Sequence, residues 1–265
     1  MDICATVLSV IKNAGDAVME FYRYGNSKIS NKNDGSPVTE ADLVSQEIIL
    51  KGLKQFGYPI VSEEQKDNDK RFSQDKVWFV DPLDGTKDFI NRTGEFCVMI
   101  GLAENGEPIL GVVYQPVKDI YYYARKGSGA YKRIGNGISV KLEVSLTSSP
   151  QKAKMFISRN HTLQSEIQLG KDIKIGEIIP CGSAGVKIGL IASGEGEVYV
   201  VMNGNTNEWD TCASDIIIQE AGGMMTDVQD KKLVYNKKSL KNKHGFVVTN
   251  KLLHKTVISA LKNLR

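Results

Sequence analysis

Hydrophobic residues near the start of the chain recur at helical spacing. One face of residues 2–24 carries Ile3, Val7, Ile11, Ala14, Val18 and Phe21. This spacing predicts an amphipathic helix that ends near Gly25. After a polar loop, the run TEADLVSQEIILKGLKQFG predicts a second helix, with Thr39 as N-cap, Asp42 completing a capping box and Gly57 as the stop.

Strand-like runs follow the second helix, and the chain becomes rich in them after Phe89. Residues 59–62 and 77–80 predict short buried strands. The runs FCVMIGLA, ILGVVYQP and IYYYARKG predict a meander, with Asn105-Gly106 as a hairpin turn. We therefore expect a first lobe, residues 1–145, in which helices pack on an antiparallel sheet.

Strand-like and helix-like runs alternate after about residue 145. The predicted strands are KMFIS, IGEII, EVYVV and HGFVVTN, and the predicted helices are HTLQSEIQLG, SAGVKIGLIAS, EWDTCASDIIIQEAGG and KLLHKTVISALKNL. Such alternation is typical of an α/β architecture. We expect a second, α/β lobe over residues 146–265, packed with the first lobe into one compact unit with the functional site between them.

Composition narrows the possible partners. The net charge of +3 shows no domain-wide basic excess, so we expect no nucleic-acid polymer as partner, whereas a small anionic substrate is compatible. The four cysteines form no Cys-x-x-Cys pair, which argues against a zinc or thioredoxin-like motif and favours reduced thiols. No apolar run reaches membrane-spanning length, and the lysines between Lys231 and Lys243 predict a solvated loop. We expect a cytoplasmic protein without stable membrane insertion, either a monomer or a homodimer.

The stretch WFVDPLDGTKDF carries the most specific chemical signal. A predicted strand runs directly into Asp81 and Asp84, with Pro82 fixing the backbone between them. Two carboxylates that face one centre repel each other, and a divalent cation removes that repulsion. Ligands that are all oxygen suit Mg²⁺ better than a soft metal, so the pattern predicts a magnesium site.

The Gly85-Thr86 pair that follows predicts a phosphate seat at the start of a helix. Metal-binding carboxylates beside a bound phosphate predict phosphoryl transfer to water. Taken alone, the motif is also compatible with an Asp-capped turn that binds no metal. Asp42, Glu63 and Asp210 would have to converge on the same place, although each has a structural alternative as capping acid, surface residue and helix-dipole partner respectively.

Four motifs together resemble a known family. SPVTEADL, VSEE, DPLDGTKDF and EWDTCASD…QEAGG occur in the order found in the inositol monophosphatase-like superfamily of Mg²⁺-dependent, lithium-sensitive phosphatases. Within it, the chain is most similar to 3′(2′),5′-bisphosphate nucleotidases, because Lys87 follows D-G-T and ISRNH resembles their Ser-Arg-x-His segment. Asp88 departs from the glutamate that is usual in those enzymes.

The resemblance implies a role for each matching residue. The implied metal ligands are Glu63, Asp81, the carbonyl of Leu83, Asp84 and Asp210. Asp42 would be catalytic together with Glu63 and Thr86, in the outer metal shell or as a ligand of a third ion, so the site would hold two or three Mg²⁺. Thr86 and Glu63 would orient or activate the attacking water. The implied substrate contacts are Gly85, Thr86, Lys87, Ser158, His161, Ser183 and Lys187.

The implied fold is a layered α/β/α/β/α sandwich. The implied reaction removes the 3′-phosphate from adenosine 3′,5′-bisphosphate to give AMP, with the 5′-phosphosulfate analogue as a possible second substrate. An inositol monophosphatase or another sugar-phosphate phosphatase shares the same metal ligands and is the main alternative. A non-catalytic nucleotide-binding protein is the alternative of another class.

Overall fold

The computed structural model describes residues 2–25, 27–32, 35–67 and 69–264. Its α-helices are α1 (Ile3–Tyr24), α2 (Glu40–Leu53), α3 (Thr86–Ile90), α4 (Gln164–Asp172), α5 (Ala184–Ala192), α6 (Cys212–Glu220) and α7 (His254–Asn263). Its strands are β1 (Ile29–Asn31), β2 (Pro37–Thr39), β3 (Ile60–Ser62), β4 (Lys76–Asp84), β5 (Cys97–Glu104), β6 (Glu107–Gln115), β7 (Ile120–Arg125), β8 (Ala130–Ile134), β9 (Val140–Lys141), β10 (Lys154–Ser158), β11 (Glu177–Cys181), β12 (Val198–Val201), β13 (Met224–Thr226) and β14 (Phe246–Thr249).

The first two helices begin and end at the predicted residues. Gly25 adopts a left-handed conformation, with φ of 66°, and closes α1. The capping box of α2 is present, because the Asp42 carboxylate accepts the backbone N–H of Thr39 at 2.8 Å while the Thr39 hydroxyl caps the helix start. Gly57 ends the 3-10 turn that extends α2. This capping also places Asp42 in the interior, where it matters for the site.

Strands β3 to β9 form a sheet in sequence order. Only the β3–β4 pair is parallel among the strand pairs that the structure describes in this sheet, and the others are antiparallel, as the meander pattern predicts. Asn105 and Gly106 both have positive φ, 52° and 81°, in the tight turn between β5 and β6. The parallel pair is important because it brings the ends of β3 and β4 to the same edge.

The second sheet has the strand order β11-β10-β12-β14-β13. Strand β10 runs parallel to β11 and β12, whereas β14 runs antiparallel to both β12 and β13. The prediction of an α/β second half is therefore confirmed for β10 to β12. The last two strands depart from the predicted alternation of strands and helices. Strand β13, which the sequence analysis does not predict, precedes β14 and pairs with it.

The helices and sheets alternate in five layers, which confirms the predicted sandwich. Helices α1 and α2 cover the outer face of the seven-stranded sheet, where Ile11 and Ile49 pack with Trp78. Helices α5 and α6 lie between the sheets and contribute residues such as Ile188 and Ile217 to a shared core. The outer face of the second sheet is covered by α4 and α7, through Leu169, Val257 and Leu261.

Three further features differ from the sequence analysis. The predicted polar loop over residues 27–38 contains the β1–β2 hairpin, with register pairs Ile29–Thr39 and Asn31–Pro37. Strands β8 and β9 extend the first sheet beyond the predicted meander. The long helix predicted from Glu208 is interrupted, because the 3-10 turn Glu208–Asp210 ends at Thr211 before α6 begins. Polar edge strands and 3-10 turns carry little hydrophobic periodicity, which explains why the pattern misses them.

Among residues 2–25, 27–32, 35–67 and 69–264, no helix is both long and apolar enough to cross a membrane. The four cysteines are present as free thiols. The division of the chain at residue 145 stays a prediction.

The contact between α6 and the first sheet generates a stability prediction. A Cβ at Gly111 would collide with the carbonyl oxygen of Ala213 on α6, and one at Gly101 would lie 2.7 Å from the Ala213 nitrogen. We expect Gly111→Ala to lower the free energy of unfolding by about 3 kcal/mol in urea titrations, because the helix backbone must move. Gly127→Ala is the control, with open space around it and only the backbone strain of its φ of 74°, about 1 kcal/mol. Equal costs for the two variants would contradict this packing.

Candidate active site

Four of the predicted metal-binding acids meet where the two halves of the chain adjoin. Strands β3 and β4 run parallel, and the backbone N–H of Glu63, just after β3, donates to the carbonyl of Val80 at 3.2 Å. Asp81 and Asp84 lie at the end of β4, where the pairing with β5 shifts register between them. Asp210 arrives from the second half on its 3-10 turn and lies within electrostatic range of Glu63 and Asp84.

Burial and mutual repulsion together make ionisation of this cluster unfavourable. Burial raises the pKa of Asp81 well above its usual value, and the charges of Glu63, Asp84 and Asp210 raise it further. The pKa of Asp210 is also raised, by desolvation first and by Glu63 next, although its backbone bond from Asn207 opposes the shift. The folded chain therefore holds these carboxyls together at a cost that a cation would remove.

Lys32 supplies positive charge to the cluster from the segment after β1. Its Nζ lies 2.6 Å from Glu63 Oε1 and also contacts Glu64. Partial burial acts to lower the pKa of Lys32, but the two glutamates stabilise the ammonium more strongly, so its pKa is raised. Nothing in the sequence points to this lysine, because a lysine in a predicted polar loop carries no motif signal.

The donor set fits Mg²⁺ in its chemistry. The side-chain donors are all carboxylate oxygens, and the unfavourable charge on Asp81 and Asp210 is the kind that a divalent cation neutralises. In the part of the chain that the structure describes, no three His, Cys, Asp or Glu side chains are spaced to hold one ion as they stand. The side chains would therefore have to adjust on binding, and Glu63 would have to exchange its bond with Lys32.

Asp42 and Thr86 form a hydrogen-bonded pair beside the cluster. The Thr86 hydroxyl lies 3.2 Å from Asp42 Oδ1 and equally far from the Leu83 carbonyl, so it can donate to either. Burial raises the pKa of Asp42 to about 6, although its bonds from Thr39 and Thr86 oppose the shift. The pair joins two residues that the sequence analysis assigned to catalysis. A carboxyl that titrates near neutral pH suits proton transfer.

Gly85 connects β4 to α3 in a conformation that needs glycine. Its φ is 94°, and a Cβ would lie 3.1 Å from the carbonyl oxygen of Glu95. The turn places Thr86 at the first position of α3, two residues after Asp84. The predicted phosphate seat therefore adjoins the acidic cluster.

The predicted nucleotide contacts Lys87, Ser158 and His161 lie close together. The ring of His161 is exposed, yet partial desolvation lowers its pKa, and the positive charges of Lys87 and Lys187 lower it further. The Ser158 hydroxyl accepts the backbone N–H of His161 at 3.1 Å. His161 thus lies before α4, which begins at Gln164, and not within the predicted helix.

A set of polar residues that the sequence analysis did not assign joins the two halves here. Asn160 donates to Asp88 Oδ2 at 2.8 Å, and Arg159 donates to Glu95 Oε2 at 2.7 Å. Glu95 Oε2 also accepts the backbone N–H of Gly182 at 2.7 Å. Arg159 and Asn160 belong to the Ser-Arg-x-His segment, so that resemblance was the sequence signal that could have found them. No motif in the sequence pointed to Glu95.

Ser183 and Lys187, the remaining predicted substrate contacts, are buried. Ser183 is 6% exposed and donates to Asp84, and Lys187 is 1% exposed. The Lys187 ammonium donates to the carbonyls of Cys181 and Ser183. The polar atoms of both side chains therefore form hydrogen bonds within the protein.

Comparisons with known proteins agree with this architecture. The model of the inositol monophosphatase family matches residues 2–265. The 3′(2′),5′-bisphosphate nucleotidase CysQ of Salmonella typhimurium is 36% identical over 247 residues, which cover 92% of this chain and 98% of the relative. The crystal structure of CysQ from Bacteroides thetaiotaomicron superposes with a TM-score of 0.80 and 34% identity, over 94% of this chain and 97% of that one. An IMPase from Thermotoga maritima gives a TM-score of 0.84 with 27% identity, over 100% and 98% of the two chains.

The raised carboxyl pKa values predict how the stability of chelated protein depends on pH. The pKa values of Asp42 and Glu64 rise to about 6 and about 7 on folding, from 3.8 and 4.5. Between these values the folded chain binds more protons than the unfolded chain, so the free energy of unfolding falls as pH rises. Urea unfolding in EDTA is expected to show this fall from about pH 4.5 to about pH 7.5.

Adding Mg²⁺ at the upper pH is the companion measurement. Because the metal binds the ionised acids of the folded state, it should raise the melting temperature most at the pH where the chelated protein is least stable. A chelated protein whose stability rises across this range would contradict the electrostatics described for the cluster.

Proposed function

The chain belongs to the inositol monophosphatase family, and we propose that it is a 3′(2′),5′-bisphosphate nucleotidase. It removes the 3′-phosphate of adenosine 3′,5′-bisphosphate and yields AMP and phosphate, and it is Mg²⁺-dependent and lithium-sensitive. The observation that carries the proposal is the similarity to CysQ, at 34–36% identity over most of both chains. The fold does not discriminate within the family, because the IMPase of Thermotoga maritima superposes equally well.

The acidic cluster would hold the metal. Its ligands are Glu63, Asp81, the Leu83 carbonyl, Asp84 and Asp210, with Asp42 in the outer shell or at a third ion. When bound, Mg²⁺ would lower the pKa of the attacking water and neutralise charge on the phosphate and the departing oxygen. The convergence of four of these carboxylates from β3, β4 and the Asp210 turn supports this assignment.

The Asp42–Thr86 pair would accept the proton of the attacking water. Thr86 Oγ1 orients the attacking water and takes up its proton while passing its own to Asp42 Oδ1, 3.2 Å away. Because the pKa of Asp42 is about 6, its carboxylate is ionised at neutral pH and is still a competent acceptor. Glu63 would orient the same water.

The substrate would lie against the start of α3 and the segment before α4. Gly85 and Thr86 bear the first backbone N–H groups of α3, which lack intrahelical acceptors and suit a phosphate. Lys87 adds positive charge at this end of α3. Ser158 and His161 would contact the nucleoside, and the lowered pKa of His161, caused first by its partial burial, favours the neutral ring.

The substrate assignment is tested by a panel of phosphate-release assays with Mg²⁺. The panel contains adenosine 3′,5′-bisphosphate, its 5′-phosphosulfate analogue, inositol monophosphates and fructose bisphosphate. We expect the highest kcat/KM for the adenosine bisphosphate, and inhibition by Li⁺. A clear preference for an inositol monophosphate would instead support the main alternative, for which the Thermotoga maritima superposition is the favouring observation.

The proposed proton transfer is tested by Thr86→Val. Loss of the hydroxyl removes a proton-transfer group, so kcat should fall by roughly 10²- to 10⁴-fold while KM and Mg²⁺ affinity change little. Thr226→Val is a matched control. This threonine lies in the second sheet, and its buried hydroxyl hydrogen-bonds to Nε2 of His254 at 3.1 Å. Stopped assays at saturating Mg²⁺ measure both variants. A Thr86→Val enzyme with near-normal kcat would show that Asp42 and Thr86 do not move the proton.

A further inference from the structure

Protein donors surround one oxygen of Asp84. The Ser183 hydroxyl donates to Asp84 Oδ2 at 2.5 Å, and the backbone N–H of Gly185 donates to the same oxygen at 2.8 Å. The thiol of Cys97 lies 3.7 Å from it and 3.2 Å from the Ser183 hydroxyl. These contacts fix the rotation of the carboxyl group and leave Oδ1 as the oxygen available to an ion.

Ser183 makes this contact from a strained backbone. Its φ and ψ are 53° and 133°, a left-handed conformation that glycine tolerates far better than serine. The same hydroxyl accepts the backbone N–H of Val186 at 3.1 Å, so it caps α5 while it donates to Asp84. Such strain persists only where neighbouring contacts enforce it.

Lys187 hydrogen-bonds to the carbonyls on both sides of this strained position. From one turn into α5, its buried ammonium donates to the Ser183 carbonyl at 2.6 Å and to the Cys181 carbonyl at 3.1 Å. The Nζ also lies 4.7 Å from the centre of the Tyr199 ring. Two carbonyls and an aromatic face account for the three N–H bonds of the ammonium.

We propose that Ser183 and Lys187 are positioning residues for the metal-binding carboxylate of Asp84. Lys187 clamps the strained turn at Cys181–Ser183, and Ser183 in turn orients Asp84 across the boundary between the two halves of the chain. The proposal rests on the proposed function, because it takes Asp84 to be a ligand of Mg²⁺. The substrate contacts expected for both residues stay a prediction, and the measurements below distinguish them from a role in metal affinity.

Ser183→Gly separates this role from general stability. Glycine relieves the backbone strain and removes the hydroxyl, so the metal-free melting temperature should stay at or above that of wild type. Loss of a charge-assisted hydrogen bond to a ligand should weaken Mg²⁺ binding roughly tenfold, as measured by titration calorimetry without substrate. A dissociation constant for Mg²⁺ within about twofold of wild type would overturn the proposal.

Lys187→Met tests the clamp in both backgrounds. In the wild-type background it should weaken Mg²⁺ binding about as much as Ser183→Gly does, and in the Ser183→Gly background it should add little, because the two act in series. If Lys187 instead contacts substrate, Lys187→Met raises KM for adenosine bisphosphate at saturating Mg²⁺ and leaves Mg²⁺ affinity unchanged, which overturns the clamp. Should Lys187→Met fail to fold, Ser183→Gly decides the proposal.

Arg71→Met is the matched control. Arg71 is also a buried cation, 2% exposed, but it bonds to Asp67 and Asn236 and has no bond to Ser183 or Asp84. Arg71→Met should lower the melting temperature and leave Mg²⁺ affinity unchanged. If it weakens Mg²⁺ binding as much as Lys187→Met does, the loss is a general effect of destabilisation and the proposal is overturned. Wild-type protein that binds no Mg²⁺ would overturn the proposed function as well, whereas wild-type binding with unaffected variants overturns only this inference.

Discussion

The concentration of carboxylates at one point is the constraint on which the rest of the structure depends. Parallel pairing of β3 and β4 brings Glu63 to the acids at the end of β4, and the second half of the chain adds Asp210 to them. Partly desolvated charges of one sign oppose this assembly. Lys32, which follows β1, offsets part of the repulsion, and a divalent cation at the proposed site would offset the remainder.

The surroundings of the cluster divide the proposed reaction among separate elements. The N-terminus of α2 provides the acid partner of Thr86, and the glycine turn before α3 brings that threonine next to the cluster. The second half contributes Asp210, the segment around His161 and the strained start of α5. Because both halves would supply parts of the proposed site, their relative placement would affect the proposed reaction. The hydrogen bonds of Asp88 and Glu95 to Arg159, Asn160 and Gly182 hold that placement.

Much of the fold and of the site could be predicted from the sequence. Helices α1 and α2 have clear periodicity and caps, the β5–β6 hairpin has its Asn-Gly turn, and the motif acids stand beside strand ends. The hairpin near Lys32 and strands β8 and β9 escaped prediction because these strands are short and mostly polar or exposed, so they carry little hydrophobic alternation. The bonds of Ser183 and Lys187 escaped it for another reason. Contacts between residues 99 positions apart, such as Ser183 and Asp84, depend on tertiary packing, and a motif gives the residue types but not the atoms they touch.

The central claim is that acids from both halves of the chain bind the same divalent cations. A crystal structure of the protein grown with Mn²⁺ in place of Mg²⁺ tests it most directly, because the anomalous signal identifies each ion. We expect ions between Asp81, Asp84 and Asp210, with Glu63 turned from Lys32 toward the metal. A well-ordered site in which Asp210 lies apart from Asp81 and Asp84, with no anomalous peak between them, would contradict it.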